Sequence, residues 1–474
     1  MRKPKFMKYR VMALTASAVA LSVLACSDQG AFKGEEYSQT ESPLSIGDVE
    51  LIYDGNRVRD VMQQLVDLGP RVAGSAVEQN AAEVLRNKFG SFGLSTTIET
   101  SPVTMEWKDN CGSLLKFKDD KIKPIKLLPL TFSPHADITA PIVHVERGYP
   151  NEYPVGKSGY IALIRRGTIP FAFKVQYAFE AGAVAAVIYN NVPVDGALPS
   201  FNAGAAPIPI ANVTLEDGTA ILSALDKGPV IASMHVNTER VLGTARHVVA
   251  TLPGTDAAGH TMYMTAHYDS AAMRVKFDPN NSPKNCPQTY SSDAKKGSPG
   301  ANDNASGVGA LVEAARVLTT LPPTKAAVKF IAFSGEEVGL AGSLAYVLAH
   351  RTEIDTRAIG VVNLDVIGDG KYLLFGNASS PPDLMEFAIG KAATISEFYI
   401  PTGLPQQSDH AAFEWRNVPA MSLTRMIGET PNPYFFVDYL YYHQPTDTMD
   451  KVSVDLVESA GEFATLVAHD FADL

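Results

Sequence analysis

From Val248 to the C-terminus, short apolar runs alternate with stretches of helical periodicity, and this restricts the fold more than any other feature of the chain. Strands that are apolar on both faces need cover on both faces. The pattern therefore calls for an α/β fold in which a mainly parallel mixed sheet is sandwiched by helices. Strands are expected at residues 247–252, 261–266, 327–333, 358–366, 372–375 and 420–424, and helices at 305–318, 343–349, 382–392 and 454–471. Ligands of such sheets bind at the carboxyl ends of the strands, so the polar residues that follow each apolar run come next.

Met262-Tyr-Met-Thr-Ala-His267-Tyr-Asp269 is an apolar run ending in His-x-Asp. At period two the histidine and the aspartate face the same side, so one can bind a metal while the other orients it. Asp303, in Pro299-Gly-Ala-Asn-Asp303, opens a helix. It reads either as a helix-capping acid or as a ligand in the open space left by its small neighbours. Glu336 and Glu337 directly follow the buried run Phe330-Ile-Ala-Phe, where two like charges repel unless something positive compensates them. A metal would divide their work, with one carboxylate as ligand and the other as base. Asp365 ends Val361-Val-Asn-Leu, a segment so apolar that an ionised carboxylate there needs a partner, and it contains no Lys or Arg. His443 lies in a turn before the last helix, and Ser408-Asp409-His410 is assigned to support or substrate contacts. Two histidines with several carboxylates suit Zn²⁺, and a bridging carboxylate would hold two ions about 3.5 to 4 Å apart.

Ahead of this region the texture differs. Residues 1–25 read as a signal peptide, with a basic start and an apolar run too short to span a membrane. Val23-Leu24-Ala25-Cys26 resembles a bacterial lipobox, which implies export to the cell envelope and a lipid on Cys26 as the one membrane attachment. Residues 26–48 read as a polar tether. Residues 49–117 begin the folded part with a helical pattern over 56–93, and residues 246–474 carry the chemistry. Residues 118–245 are β-rich and punctuated by Gly and Pro, as an inserted domain would be. That insertion resembles the protease-associated domain through Gly159-Tyr-Ile-Ala-Leu-Ile-Arg-Arg-Gly167, Phe171-Ala-Phe-Lys-Val and the run Ala178 to Asn190. Its expected role is that of a lid or docking wall.

The formal charge of −11, with no basic block, excludes a nucleic-acid binder. Of three cysteines, Cys111 and Cys286 remain for a disulfide, and without a Cys-x-x-Cys a thiolate zinc site is excluded.

Taken in order, these motifs resemble the two-zinc exopeptidases, the family of aminopeptidase Y, bacterial leucyl aminopeptidases and glutamate carboxypeptidase. The resemblance implies that His267 and Asp365 bind one zinc, Glu337 and His443 the other, and that Asp303 bridges. It further implies Glu336 as general base and Asp269 as the partner of His267. The implied activity is removal of N-terminal residues from peptides. A carboxypeptidase on the same scaffold would need a cation for the terminal carboxylate, for which Arg274, Arg416 and Arg425 are available. A glutaminyl cyclase or a receptor-like binding protein are the remaining alternatives. The polar stretch 271–298 departs from the family pattern.

Overall fold

The computed structural model describes residues 44–119, 122–167, 169, 171–192, 206–272, 289–291, 297–376, 381–393, 399–402, 408–426 and 440–474. The targeting segment, most of the tether, Arg274 and most of the stretch 271–298 lie outside these residues. So does Cys286, while Cys111 is disulfide-bonded.

Among the described residues one nine-stranded sheet carries the alternating region. Its centre is parallel, in the spatial order Ala327–Phe333, Thr261–His267, Ala358–Leu364 and Ala420–Met426. On one side it continues antiparallel through the long strands Thr238–Leu252 and Ser95–Asp109. On the other it ends in Tyr372–Gly376 and Tyr399–Thr402. The sheet is thus parallel at its centre with antiparallel pairings on both sides, one of them through the long strand Ser95–Asp109, which the sequence pattern does not predict. Successive side chains leave the sheet on opposite faces. Met262, Met264, Phe330 and Ala332 pack under the helices Gly55–Asp67, Ala76–Ser91, Gly307–Thr320 and Val454–Ala472. Tyr263, Ile331 and Phe333 pack on the opposite face against Ala341–Ala349 and His410–Glu414. Each such fully buried aromatic or aliphatic side chain contributes roughly 1.5–3 kcal/mol.

The β-rich insertion forms its own eight-stranded sheet, with strands between Leu114–Phe117 and Ile231–Val236. The chain leaves the first sheet at Asp109 and returns at Thr238, and those two residues pair with each other. At its centre Ala136–His144, Tyr160–Arg165, Ala183–Tyr189 and Ile210–Val213 run parallel between two apolar clusters. Its helix Phe171–Glu180 sends Phe173 into the cluster under the first sheet, with the Phe173 and Tyr177 rings 6.4 and 5.7 Å from that of Trp415.

Candidate metal centre

The strand order decides which polar residues meet. Thr261–His267 lies between Ala327–Phe333 and Ala358–Leu364, all parallel, so three carboxyl ends sit side by side at the strand spacing of about 4.8 Å. His267 is the last residue of the middle strand, Asp365 follows one neighbour, and Glu336 and Glu337 follow the other across a turn at Gly335, whose φ is +88°. Asp303 comes from the loop that leads into Gly307–Thr320, and His443 from the turn before the last helix.

Two donor trios result, and they share Asp303. In one, His267 Nε2 lies 3.3 Å from Asp303 Oδ1 and 3.2 Å from Asp365 Oδ1. In the other, His443 Nε2 lies 3.1 Å from Asp303 Oδ2 and 3.0 Å from Glu337 Oε2. A tetrahedral zinc with bonds near 2.0–2.1 Å has donor-to-donor edges of about 3.3 Å, so both trios fit such an ion. Glu337 Oε1 is buried and makes no hydrogen bond, an arrangement that is costly for a carboxylate unless a cation takes its lone pairs.

Burial opposes charge on both histidines, but the carboxylates outweigh it. Asp365 and Glu336 hold His267 well above its usual range, and Glu337 and Asp303 raise His443 to about 10. Burial likewise opposes ionisation of Asp303, yet hydrogen bonding to His267 and His443 keeps its carboxyl far below the ordinary value. Glu336 and Glu337 are both pushed up, first by burial; Glu337 and Asp365 add to the rise of Glu336, and Asp303 to that of Glu337. Non-glycine residues in the left-handed region cluster here too: Leu340 at φ +59°, Val366 at +54° and His443 at +57°. Each costs roughly 1–3 kcal/mol, and such conformations concentrate at functional sites.

His267, Asp269, Asp303, Glu336, Glu337, Asp365 and His443 come together here, with two differences of detail. Asp365 stands just beyond its strand, with 17% of its side chain exposed, because the strand ends at Leu364 and the carboxylate opens to the cleft. Asp269 contacts His267 Nδ1 through its carbonyl oxygen at 3.0 Å, while its carboxylate stands 3.7 Å away and accepts the backbone N–H groups of Glu336 and Glu337 at 3.3 Å each. Its side chain therefore anchors the turn that carries both glutamates. Asp409 and His410 are fully buried, with no hydrogen-bond partner for either carboxylate oxygen or either ring nitrogen. Burial raises Asp409 to about 7 and lowers His410 to about 3.

Tyr442 went unassigned in the sequence. It is 38% exposed, and its ring stacks on His443 with centroids 3.7 Å apart. Burial of its hydroxyl, together with the charges of Asp303, Glu337, Glu336 and Asp365, holds the phenol well above its usual range. Adjacency to His443 was its one sequence signal.

The model of peptidase family M28 matches residues 247–468, and that of the PA domain matches residues 138–221. Aminopeptidase YwaD of Bacillus subtilis is 26% identical over 439 residues, which span 90% of this chain and 87% of that protein. The solved structure of an aminopeptidase from Aneurinibacillus sp. strain AM-1 superposes with a TM-score of 0.51 at 28% identity, covering 89% of this chain and 95% of its own. That of BSAP, a zinc aminopeptidase from Bacillus subtilis, gives 0.53 at 25% identity, covering 88% and 94%.

Proposed function

We propose, for a chain that belongs to peptidase family M28, carries an inserted PA domain and is a metallo-aminopeptidase, that it holds two zinc ions and uses Glu336 as its general base. The observation that carries this reading is the pair of donor trios sharing Asp303, with histidine-to-carboxylate distances of 3.0–3.3 Å. His267, Asp303 and Asp365 would hold one ion, and Asp303, Glu337 and His443 the other. When bound, zinc supplies Lewis acidity and lowers the pKa of water towards neutrality.

The chain's own residues do the rest. Glu336 accepts a proton from the attacking water and returns it to the amine nitrogen as the peptide bond breaks. Asp269 keeps the Glu336–Glu337 turn in place by accepting its two backbone N–H groups. Tyr442 retains its proton and offers a hydroxyl donor to an oxygen held in the cleft.

The surplus of carboxylates, with Asp269 and Asp409 added to the ligands, favours a substrate with a cationic free amine over one with a terminal carboxylate. Among the described residues, the two arginines that a carboxypeptidase could use, Arg416 and Arg425, are engaged elsewhere. Arg416 Nε donates to Asp355 Oδ1 at 2.8 Å, and Arg425 is buried against Ile367 O, Leu456 O and Ser459 Oγ. A panel of aminoacyl amides and of blocked and free dipeptides tests this, and cleavage of N-blocked, free-acid peptides would reverse it. Export and lipid attachment at Cys26 form a separate part of the proposal, supported by the lipobox-like run. Processing insensitive to globomycin would sink it.

A further inference from the structure

Asp303 serves both donor trios at once, so the placement of its loop governs the whole centre. Two buried groups of opposite charge grip that loop. Arg71, fully buried, donates Nη1 to Pro299 O at 2.6 Å and to Leu65 O at 3.3 Å, Nη2 to Gly300 O at 2.9 Å, and Nε to Tyr268 O at 2.7 Å. Asp447, also fully buried, accepts the Asn302 N–H on Oδ1 at 2.9 Å and the Asp303 N–H on Oδ2 at 3.1 Å, while the Ala301 N–H reaches its carbonyl at 3.2 Å. The guanidinium takes the loop's carbonyls and the carboxylate takes its amides. The approach requires glycine at position 300, where φ is +62° and a Cβ would stand 2.4 Å from Asp303 O and 2.9 Å from Arg71 Nη2. Burial lowers the guanidinium to about 10, so it stays charged at neutral pH.

The two grips are not equivalent. Tyr268, which Arg71 also holds, directly follows His267, so Arg71 ties the Asp303 loop to the strand end of the first trio. Asp447 closes the turn that bears His443, its N–H donating to Gln444 O at 3.1 Å, and so ties the same loop to the second trio. Resting on the two-metal reading, we propose that Arg71 and Asp447 are positioning residues that tune the two metal positions separately. Arg71 sets the position held by His267, Asp303 and Asp365, and Asp447 the one held by Asp303, Glu337 and His443. Partners that orient ligands in this way typically carry about 10–100-fold in metal affinity.

The full chain, freed of metal by chelation, is titrated with Co²⁺ in competition with a chromophoric chelator while the visible absorption of the bound ion is followed. Glu337→Ala identifies which equivalent belongs to the second trio. Asp447→Asn keeps the shape but leaves one loop N–H facing an amide donor. Its expected result is one equivalent unchanged and the Glu337-dependent one weakened about 10–100-fold. Arg71→Lys loses the planar fork and is expected to weaken the other equivalent. A general loss of stability would lower both together. Equal weakening of both equivalents in Asp447→Asn, or wild-type affinity for both, overturns the inference, and this variant decides alone if Arg71→Lys does not fold. Wild-type protein that takes up fewer than two equivalents overturns the two-metal reading instead.

Discussion

The two sheets of this molecule share a motif and use it differently. Both have a parallel centre with loops at the strands' carboxyl ends. In the inserted sheet those ends run into Arg166 and Gly167, Asn190 and Thr214, and its buried charge, Lys174, donates to Arg147 O. Asn190 and Asn212 leave amide atoms without partners, but neither carries charge. In the peptidase sheet the corresponding ends collect His267, Glu336, Glu337 and Asp365, with unpartnered oxygens on the buried Glu337 and Asp409. Parallel topology therefore supplies a place for a site, and uncompensated charge makes one, since an unpaired buried carboxylate is tolerated only where a cation or proton completes it.

The largest test of that contrast is Glu336→Gln, which is expected to lower kcat by about 10²–10⁴-fold while zinc content stays at the wild-type level. Full turnover, or loss of the metal, would remove Glu336 from the role of base. Next comes pH, where the two sheets are expected to respond with opposite sign. In metal-free protein His443 is raised from 6.5 to about 10, so its contribution is fully present below pH 6.5 and is lost as pH rises through 10. Lys174 is lowered from 10.5 to about 8, so its burial destabilises fully below pH 8 and ceases to do so as pH climbs past 10.5. Thermal denaturation of His443→Gln and Lys174→Met between pH 6 and 10.5 checks both: the first variant should lose a falling component of Tm, and the second a rising one. Asp409→Asn sharpens the peptidase side further. With Asp409 raised from 3.8 to about 7, the wild type loses stability as pH rises between those values, so the advantage of the variant should grow over that range. The smallest effect is expected in the inserted core, where Ile188→Val should cost about 0.5–1.5 kcal/mol and leave kcat/KM on a small aminoacyl amide within about twofold. A large loss of activity there would mean that the inserted domain does more than pack beside the site.

Much of the catalytic half was legible because its strands are buried on both faces and interrupted by polar residues at their ends, as in the run from Met262 to Asp269. Ser95–Asp109 was not legible. It is rich in Ser, Thr and Glu and alternates between exposed and buried, and its extended form is completed by pairing with Thr238–Leu252. The pairing of Asp269 with His267 is legible in the spacing, but period two fixes the side a residue faces and not whether its carboxylate or its carbonyl reaches the histidine, which here is the carbonyl.

By itself the sequence determined that residues 246–474 would form an α/β layer with acids and histidines at the ends of its strands, because periodicity and burial are local properties of the chain. Only the tertiary structure decided that Asp303 would stand between two histidines, that Tyr442 would face four carboxylates, and that Arg71 and Asp447 would close on one loop. Those contacts join segments up to 229 residues apart, and no local pattern encodes which loop a distant guanidinium will meet. Strand order and handed connections set that meeting, and they follow from the packing of the whole chain.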